Sequence, residues 1–450
     1  MEIFIDNTIR NDQIAKFSQN YKAKKYSKAI TNAVSKSGIN AIAFNNDVLA
    51  NTKYRFSIEL DTMKVTNQKQ SGRCWLFAGL NVLREKTAKK LNMEFFELSQ
   101  NYLTFWDKFE KVNFYLESMM ETLEEQVDSR IVTWLLQNVI NDGGQWDMFV
   151  NLVDKYGVVP KEAMPETFNS SQTGIMNQLL ATKLREYSVV LRTMHEQGQT
   201  VDELRLKKEK MLDETYTLLC IFFGEPPHMF DFEYTDRDKK FHREKNLTPM
   251  DFFQKYLDVK MHDYVSVINA NTSDKPFNRA FTVKFLGNVK GGRDVIYLNT
   301  DINTIKGLSV AQLKEGEPVW FGCDVGKMSD RDSGIMDAEL YQYDLALDMT
   351  FSLTKAERLE YRESCMTHAM VLTGVNLDEE TPNRWKVENS WGDDKGDKGY
   401  FVMSDAWFDE YLYQVVVHKK YLPEELQKAA ELGVIELAPW DPMGSLAVVR

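Results

Sequence analysis

No apolar run in this chain approaches the roughly 18–20 residues needed to span a bilayer, so no membrane-spanning helix is expected. The stretch from Met1 to Tyr21 lacks a basic segment followed by an apolar one, which argues against a secretory leader. Cysteine is scarce. Cys74, Cys220, Cys323 and Cys365 lie far apart, with no C-x-x-C spacing, in a chain of 450 residues. Four such residues form no disulfide framework, and they fit a reduced, cytoplasmic protein. The six histidines are scattered and show no H-E-x-x-H or Cys/His ligand spacing, so no metal site is expected. A glycine-rich phosphate loop is missing too, so no cofactor is expected. Gly291-Gly292 lies between strand-like segments and reads as a hairpin turn. Positive charge is not in excess: the net charge is −12, which disfavours nucleic acid or an anionic membrane as a partner. Internal repeats and low-complexity segments are absent.

What the chain does have is material for a large interior. Hydrophobic residues make up 43% and aromatics 12%, enough for two or three domains' worth of core. The 20 methionines read as core filling. Residues 1–60 read as short helices with one strand near Tyr54–Leu60. A loop through Ser71-Gly72-Arg73 leads into Cys74-Trp75-Leu76-Phe77-Ala78-Gly79-Leu80, apolar almost all round and therefore a buried helix. Asn141-Asp142-Gly143-Gly144 is a turn cluster. From about Gly174 to Phe223 the pattern is helical, with Leu204, Met211, Leu212, Tyr216 and Leu219 at helical spacing. Met229–Tyr234 mixes apolar and acidic residues as a strand does. Thr248-Pro249 supplies an N-cap and first-turn proline for a helix through Leu257. Strand signals follow at Ala280–Phe285, Val295–Leu298, Val319–Asp324, Ala369–Val375 and Arg384–Glu388, with helices at 404–413 and 423–432. The class is α+β.

Four residues form a chemical pattern. A thiol attacks a carbonyl as thiolate, which a helix N-terminus and an adjacent imidazole both favour. Cys74 stands at the head of an apolar helix, and His368 at the head of an apolar strand, a rigid place for a base. Asn389, just past the next strand, could accept the second imidazole N–H and fix the ring. Gln68, six residues before Cys74, could complete an oxyanion hole with the Cys74 backbone N–H. Taken singly, each has an ordinary explanation: a buried small hydrophobe, a satisfied histidine, a turn, a solvated glutamine. The order Gln, Cys, His, Asn, each in a fitting context, is what argues for chemistry.

Gln68-x5-Cys74-Trp75, His368-Ala369 and Asn389-Ser390-Trp391-Gly392 resemble the active-site blocks of papain-like cysteine peptidases. Ser71 stands where the family signature has a cysteine three residues before the nucleophile. Asn141, ahead of Gly143-Gly144, matches the position of that cysteine's partner in secreted members, so both halves of the disulfide are replaced. Cys74 and His368 are 294 residues apart, against about 130–150 in papain-like chains, so an insertion of roughly 150 residues is required. The blocks Thr66–Ala78 and Pro439–Ala447 resemble the bleomycin hydrolase family with its bacterial aminopeptidase C members, and that resemblance runs nearly the whole length.

It implies a papain-like two-part catalytic domain carrying a large, mainly helical insertion. The expected organisation is an N-terminal arm over 1–60, a helical catalytic part with the nucleophile over 61–165 and an inserted helical region over 166–300. A strand-rich catalytic part with His368 and Asn389 over 301–435 and a C-terminal arm over 436–450 complete it. It further implies a cleft formed by Gly143, Gly144 and Trp391, a homohexamer, peptide substrates, and an arm ending near Leu446 and Ala447 that lies in the cleft and restricts cleavage to N-terminal residues. Val448-Val449-Arg450 continue past that point, which suggests self-trimming of the tail or a harmless extension in equal measure. Three rival readings are a papain-like endopeptidase, a binding module on an inactive peptidase fold, and a nucleic-acid binder, since some members of that family bind DNA. The basic run Asp236–Lys245 is the best local candidate for the last, and a mixed-charge solvated face explains it better.

Overall fold

The structure, a computed structural model, describes residues 7–257 and 259–446. They fall into two compact units. The smaller comprises residues 7–52 with Ala338–Ser352. Its helices are Asn11–Ala23, Ser27–Ser37, Ile39–Ala43, Asn46–Asn51 and Tyr343–Leu347. The two pieces join through Asn45 N–H to Leu340 O (2.9 Å), Gln342 N–H to Ala43 O (2.7 Å) and an edge-on contact of Phe44 with Tyr341. Only Ala43 and Leu340 among its described apolar residues are buried, while Ile14, Phe17, Tyr26, Leu345 and Phe351 stand in solvent. A unit assembled from segments some 300 residues apart was not legible as the simple arm expected over 1–60.

The larger unit is built on one sheet of twelve strands. Its central strands, in order, are Tyr264–Ile268, Leu412–His418, Val319–Cys323, His368–Asp378, Thr381–Glu388 and Tyr400–Ser404. Val319–Cys323 is buried at every position, as is His368–Val375, which explains why these segments read as continuous apolar runs instead of alternating ones. The helix Cys74–Lys90 packs against the sheet, and each residue from Cys74 to Arg84 is buried, the environment its all-round apolarity calls for. The long helix Gln100–Glu121 and the helix Trp146–Tyr156 cover its other sides.

The stretch 166–300 is helical in its first part and carries strands in its second. Its first part is two long helices, Gly174–Glu196 and Val201–Phe223. They are broken at Gly198, whose φ of +80° ends the first helix, and restarted by a Thr200–Glu203 capping box. Both pack on Gln100–Glu121, burying Leu204, Met211 and Leu219. Its second part is a hairpin, Phe230–Thr235 with Phe241–Leu247, followed by three strands that join the main sheet: Tyr264–Ile268, Arg279–Val283 and Tyr297–Asn299. The last two pair antiparallel, but thirteen residues, 284–296, connect them, so Gly291-Gly292 sits in a long loop and not in a two-residue turn. The segment after Thr248 does begin as a helix, Pro249–Phe252, then widens to a π turn over Phe253–Leu257. The basic run Asp236–Lys245 forms the turn and most of the second strand of the hairpin. There Arg243 pairs with Glu233 at 2.5 Å and His242 with Asp236 at 2.8 Å.

Candidate active site

The loop ahead of the Cys74 helix is laced to the chain just past Thr381–Glu388. Gln68 N–H donates to Ser390 O at 2.8 Å, and Gly392 N–H donates to Thr66 O at 3.1 Å. Arg73, one residue before the cysteine and buried, sets its guanidinium fork on Glu166 at 3.0 and 2.7 Å. That fork fixes where the helix starts. Cys74 is its first residue and has no solvent exposure. Burial pushes its thiol up to about 12, against the pull of the backbone N–H groups of Ala369, Trp75 and Cys74 itself. The thiol therefore lies against the N–H of the residue next to His368.

His368 opens a strand that runs out while Thr381–Glu388 runs back beside it, with Val371 opposite Glu388. The residue just past the returning strand must then fall near the start of the first. Asn389 does so: its Oδ1 lies 2.9 Å from His368 Nε2. His368 Nδ1 is buried and has no hydrogen-bond partner among the described residues. Burial pulls the imidazole down to about 4; the bond to Asn389 opposes this and the charge of Arg331 adds to it. Both partners are thus disfavoured as isolated charges. Proton transfer from thiol to imidazole is favourable only when the two charges form together as a pair. Trp391 covers the ring, centroid to centroid 4.8 Å, and itself carries the Arg331 guanidinium at 4.4 Å.

Gln68 is buried, with Oε1 accepting from Ser390 Oγ and Nε2 donating to Ser71 O, both at 2.6 Å. One amide N–H is spent in the loop and the second remains for another acceptor. Gly144 has a packing reason to be glycine: a Cβ there would stand 2.5 Å from the Trp75 indole. The carbonyl of Gly143 accepts from Lys111 Nζ at 2.5 Å. Between Asn141 and Gly143 sits Asp142, which the sequence did not single out. Its carboxylate accepts from Gly72 N–H at 2.9 Å, Lys108 Nζ at 2.6 Å and Asn177 Nδ2 at 2.7 Å, and also from Thr173 Oγ1. Burial alone would raise its pKa, but Lys108 and these hydrogen bonds outweigh it and hold the carboxyl well below its usual range. Ser71 and Asn141 stand where a disulfide was expected to be missing, and this ionic tie joins the residues directly after them.

The arm leading to the C-terminus is described as far as Leu446; Ala447 and the three residues after it lie outside the described residues. The arm is fixed at several points. Arg130 lies over Trp440 at 3.7 Å, and the buried Lys275 pairs with the partly buried Asp441 at 2.8 Å. Gln145 Nε2 donates to Ser445 O at 2.8 Å, and Ser445 Oγ donates to Met366 O at 3.0 Å. Gln145 follows Gly144, and Met366 precedes His368 by two residues. Leu446 and Ser445 line a cavity of about 280 Å³ with Asn141, Trp134, Phe285 and Thr367.

Arg73, Asp142, Lys108 and the buried pair Arg84–Glu388 (2.8 Å) were all missed from the sequence. One signal was available: a charged residue inside an otherwise apolar helix, as at Arg84, needs a partner. The partner itself, 304 residues away, was not legible.

Residues 8–444 match the Peptidase C1-like family. The chain is 50% identical over 438 residues to Aminopeptidase C of Listeria innocua serovar 6a, covering 97% of this chain and 98% of that one. It is 47% identical over 441 residues to Aminopeptidase C of Streptococcus thermophilus, covering 98% and 99%. The crystal structure of PepW from Lactobacillus rhamnosis HN001 is similar at a TM-score of 0.96 and 51% identity, over 98% of this chain and 100% of that chain.

Proposed function

This chain belongs to the Peptidase C1-like family and is a papain-like cysteine aminopeptidase, and from that premise we propose that Cys74, His368, Asn389 and Gln68 carry its chemistry. In this reading His368 accepts the thiol proton as Cys74 attacks the scissile carbonyl. The oxyanion forms against the Cys74 backbone N–H and the remaining amide N–H of Gln68. Collapse breaks the C–N bond, the proton passes from His368 to the leaving amine, and a thioester remains. Water, deprotonated by the same imidazole, then releases the acid and restores the thiol. Asn389 holds the ring by accepting from Nε2, which leaves Nδ1 for the proton in transit.

We propose further that the C-terminal arm limits the enzyme to N-terminal residues. The observation that supports this most is the arm's double attachment, to Gln145 beside Gly144 and to Met366 beside His368, which ties it to both walls next to the nucleophile. A substrate chain extending past that point would collide with it. The remaining cleft residues, Gly143, Gly144 and Trp391, are read as the walls that hold the peptide.

We place the enzyme in the cytoplasm as a homohexamer. None of the four cysteines takes part in a disulfide among the described residues, and among the same residues no helix is long and apolar enough to cross a membrane. The exposed apolar residues of the small unit supply surface that assembly would cover. The deciding assay is a panel of aminoacyl fluorogenic amides, free and N-blocked, with and without a thiol alkylator. Free substrates should be cut, N-blocked ones spared, and alkylation or Cys74→Ala should abolish turnover. Near-normal turnover by Cys74→Ala would overturn the assignment of the nucleophile.

A further inference from the structure

One cation beside the reacting centre has no use in the chemistry above. Arg331 sits in the turn between the short strands Ser329–Asp330 and Ile335–Met336, exposed to solvent. Its guanidinium lies over the Trp391 indole, 4.4 Å from the ring centroid, and that ring is 4.8 Å from the His368 imidazole. Among the described residues it has no ion-pair partner. The acidic neighbours on either side are already engaged. Asp330 accepts from Ser333 N–H at 2.8 Å and Ser333 Oγ at 2.6 Å, and Asp332 pairs with Lys395 at 2.6 Å. Contact with the indole localises the guanidinium while its N–H groups have no ion-pair partner among the described residues, which suits it to a carboxylate.

The position of this cation relative to the arm gives it a direction. The arm's attachments are Gln145 and Met366, and its cavity is lined by Asn141 and Thr367; neither Trp391 nor Arg331 takes part in either. With the peptide's N-terminal residue held against the arm, the chain beyond the scissile bond leaves by the other side of His368, over Trp391. Whatever is carried there meets Arg331. An unpaired positive charge at that distance also works against the imidazolium that forms during attack, an effect that an arriving negative charge would cancel.

We propose that Arg331 is a specificity-determining residue that binds a carboxylate on the leaving-group side. It thereby favours short peptides whose own C-terminal carboxylate reaches it. This rests on the aminopeptidase orientation set by the arm. Recognition of this kind adds to the binding of the leaving portion and leaves the bond-breaking groups unchanged.

The test compares dipeptides and tripeptides with the same sequences as C-terminal amides, using the full-length enzyme and its Arg331→Gln and Arg331→Glu variants. Wild type should cleave the free acids about fivefold better in kcat/KM, the size of one partly screened charge pair. Added salt should erode that ratio. In Arg331→Gln it should fall to about one, and in Arg331→Glu it should invert in favour of amides, the expected sign for a direct charge contact. An acid-to-amide ratio equal in wild type and Arg331→Gln overturns the proposal. So does an Arg331 dependence that appears only for an acidic side chain in an amidated peptide, since the C-terminal carboxylate is then not what is read. Uncharged aminoacyl amides, free and N-blocked, are run in parallel. If the N-blocked compounds are cut equally well, the aminopeptidase orientation has failed; if only the acid-to-amide ratio is unmoved, Arg331 alone has been misassigned.

Discussion

His368 and Asn389 share one hydrogen bond but stand in different relation to the proton. In the proposed mechanism the imidazole takes it up and passes it on, whereas the amide only holds the ring. His368→Ala should therefore reduce kcat far more than Asn389→Ala, and single-turnover kinetics on both variants would show it. Gln68→Ala should lower kcat by about 10²–10³ if its open N–H meets the oxyanion. A change confined to KM would instead assign that amide to ground-state binding. The pH profile follows from the burial of the pair. With the imidazole pulled down to about 4 and the thiol pushed up to about 12, kcat/KM should stay level through neutral pH. It should fall on the acid side near pH 4, where His368 takes up a proton from solvent and can no longer accept one from Cys74. A midpoint at the ordinary histidine value would mean that water reaches the ring. Cys74, His368 and Asn389 could be picked out from the sequence as candidates because each sits at or just past an end of an element whose apolar pattern is clear, and Gln68 by its distance from Cys74. Arg331 could not, since nothing in an exposed turn signals that an indole 60 residues later lies beneath it.

Among the elements, the buried pair Arg84–Glu388 joins the helix that begins with Cys74 to the strand that ends at Asn389. Burial outweighs the pull of Arg84 and lifts Glu388 to about 7, so the pair is a registration device more than a source of stability. Removing either partner, as in Arg84→Met or Glu388→Leu, should cost up to about 3–5 kcal/mol, because the side chain left behind loses its main buried partner and Arg84 keeps only the longer 3.5 Å contact with Glu85. The double variant should recover most of that loss in urea unfolding while still showing lower turnover than wild type. Additive losses would mean that the two side chains act independently. The strands illustrate where sequence reading stops. Val319–Cys323 was foreseen nearly to the residue, and Thr381–Glu388 from Arg384 onward. The strand Leu412–His418 was not, and a helix expected over 404–413 ran into it; in the structure that helix ends at Tyr411. Leu412 to Val417 are all buried, so the alternation that separates strand from helix is absent. The helix Ile302–Lys314 went unread as well, its pattern interrupted by Gly307.

For the whole molecule, the arm makes the strongest demand. Deleting 444–450 removes Ser445 and Leu446 but leaves Asp441 paired with Lys275 and Trp440 against Arg130, so the fold should survive. The shortened enzyme should cut N-blocked peptides that the full chain spares. If they remain uncut, something other than the arm closes that end of the cleft. The native mass by light scattering should be about six times the 52.3 kDa chain; a stable, active monomer would remove the hexamer. The tie between Asp142 and Gly72 bears on how such an enzyme can be kept alive. A thiol nucleophile survives only in a reducing medium, and the same medium would cut any sulfur–sulfur bond strapping its active-site loops together. Here the strap is a buried carboxylate shared among a backbone N–H, a lysine and two polar side chains. Thiol reagents have no hold on it. Glutathione or dithiothreitol can guard the nucleophile at any dose without loosening the loops on which it depends.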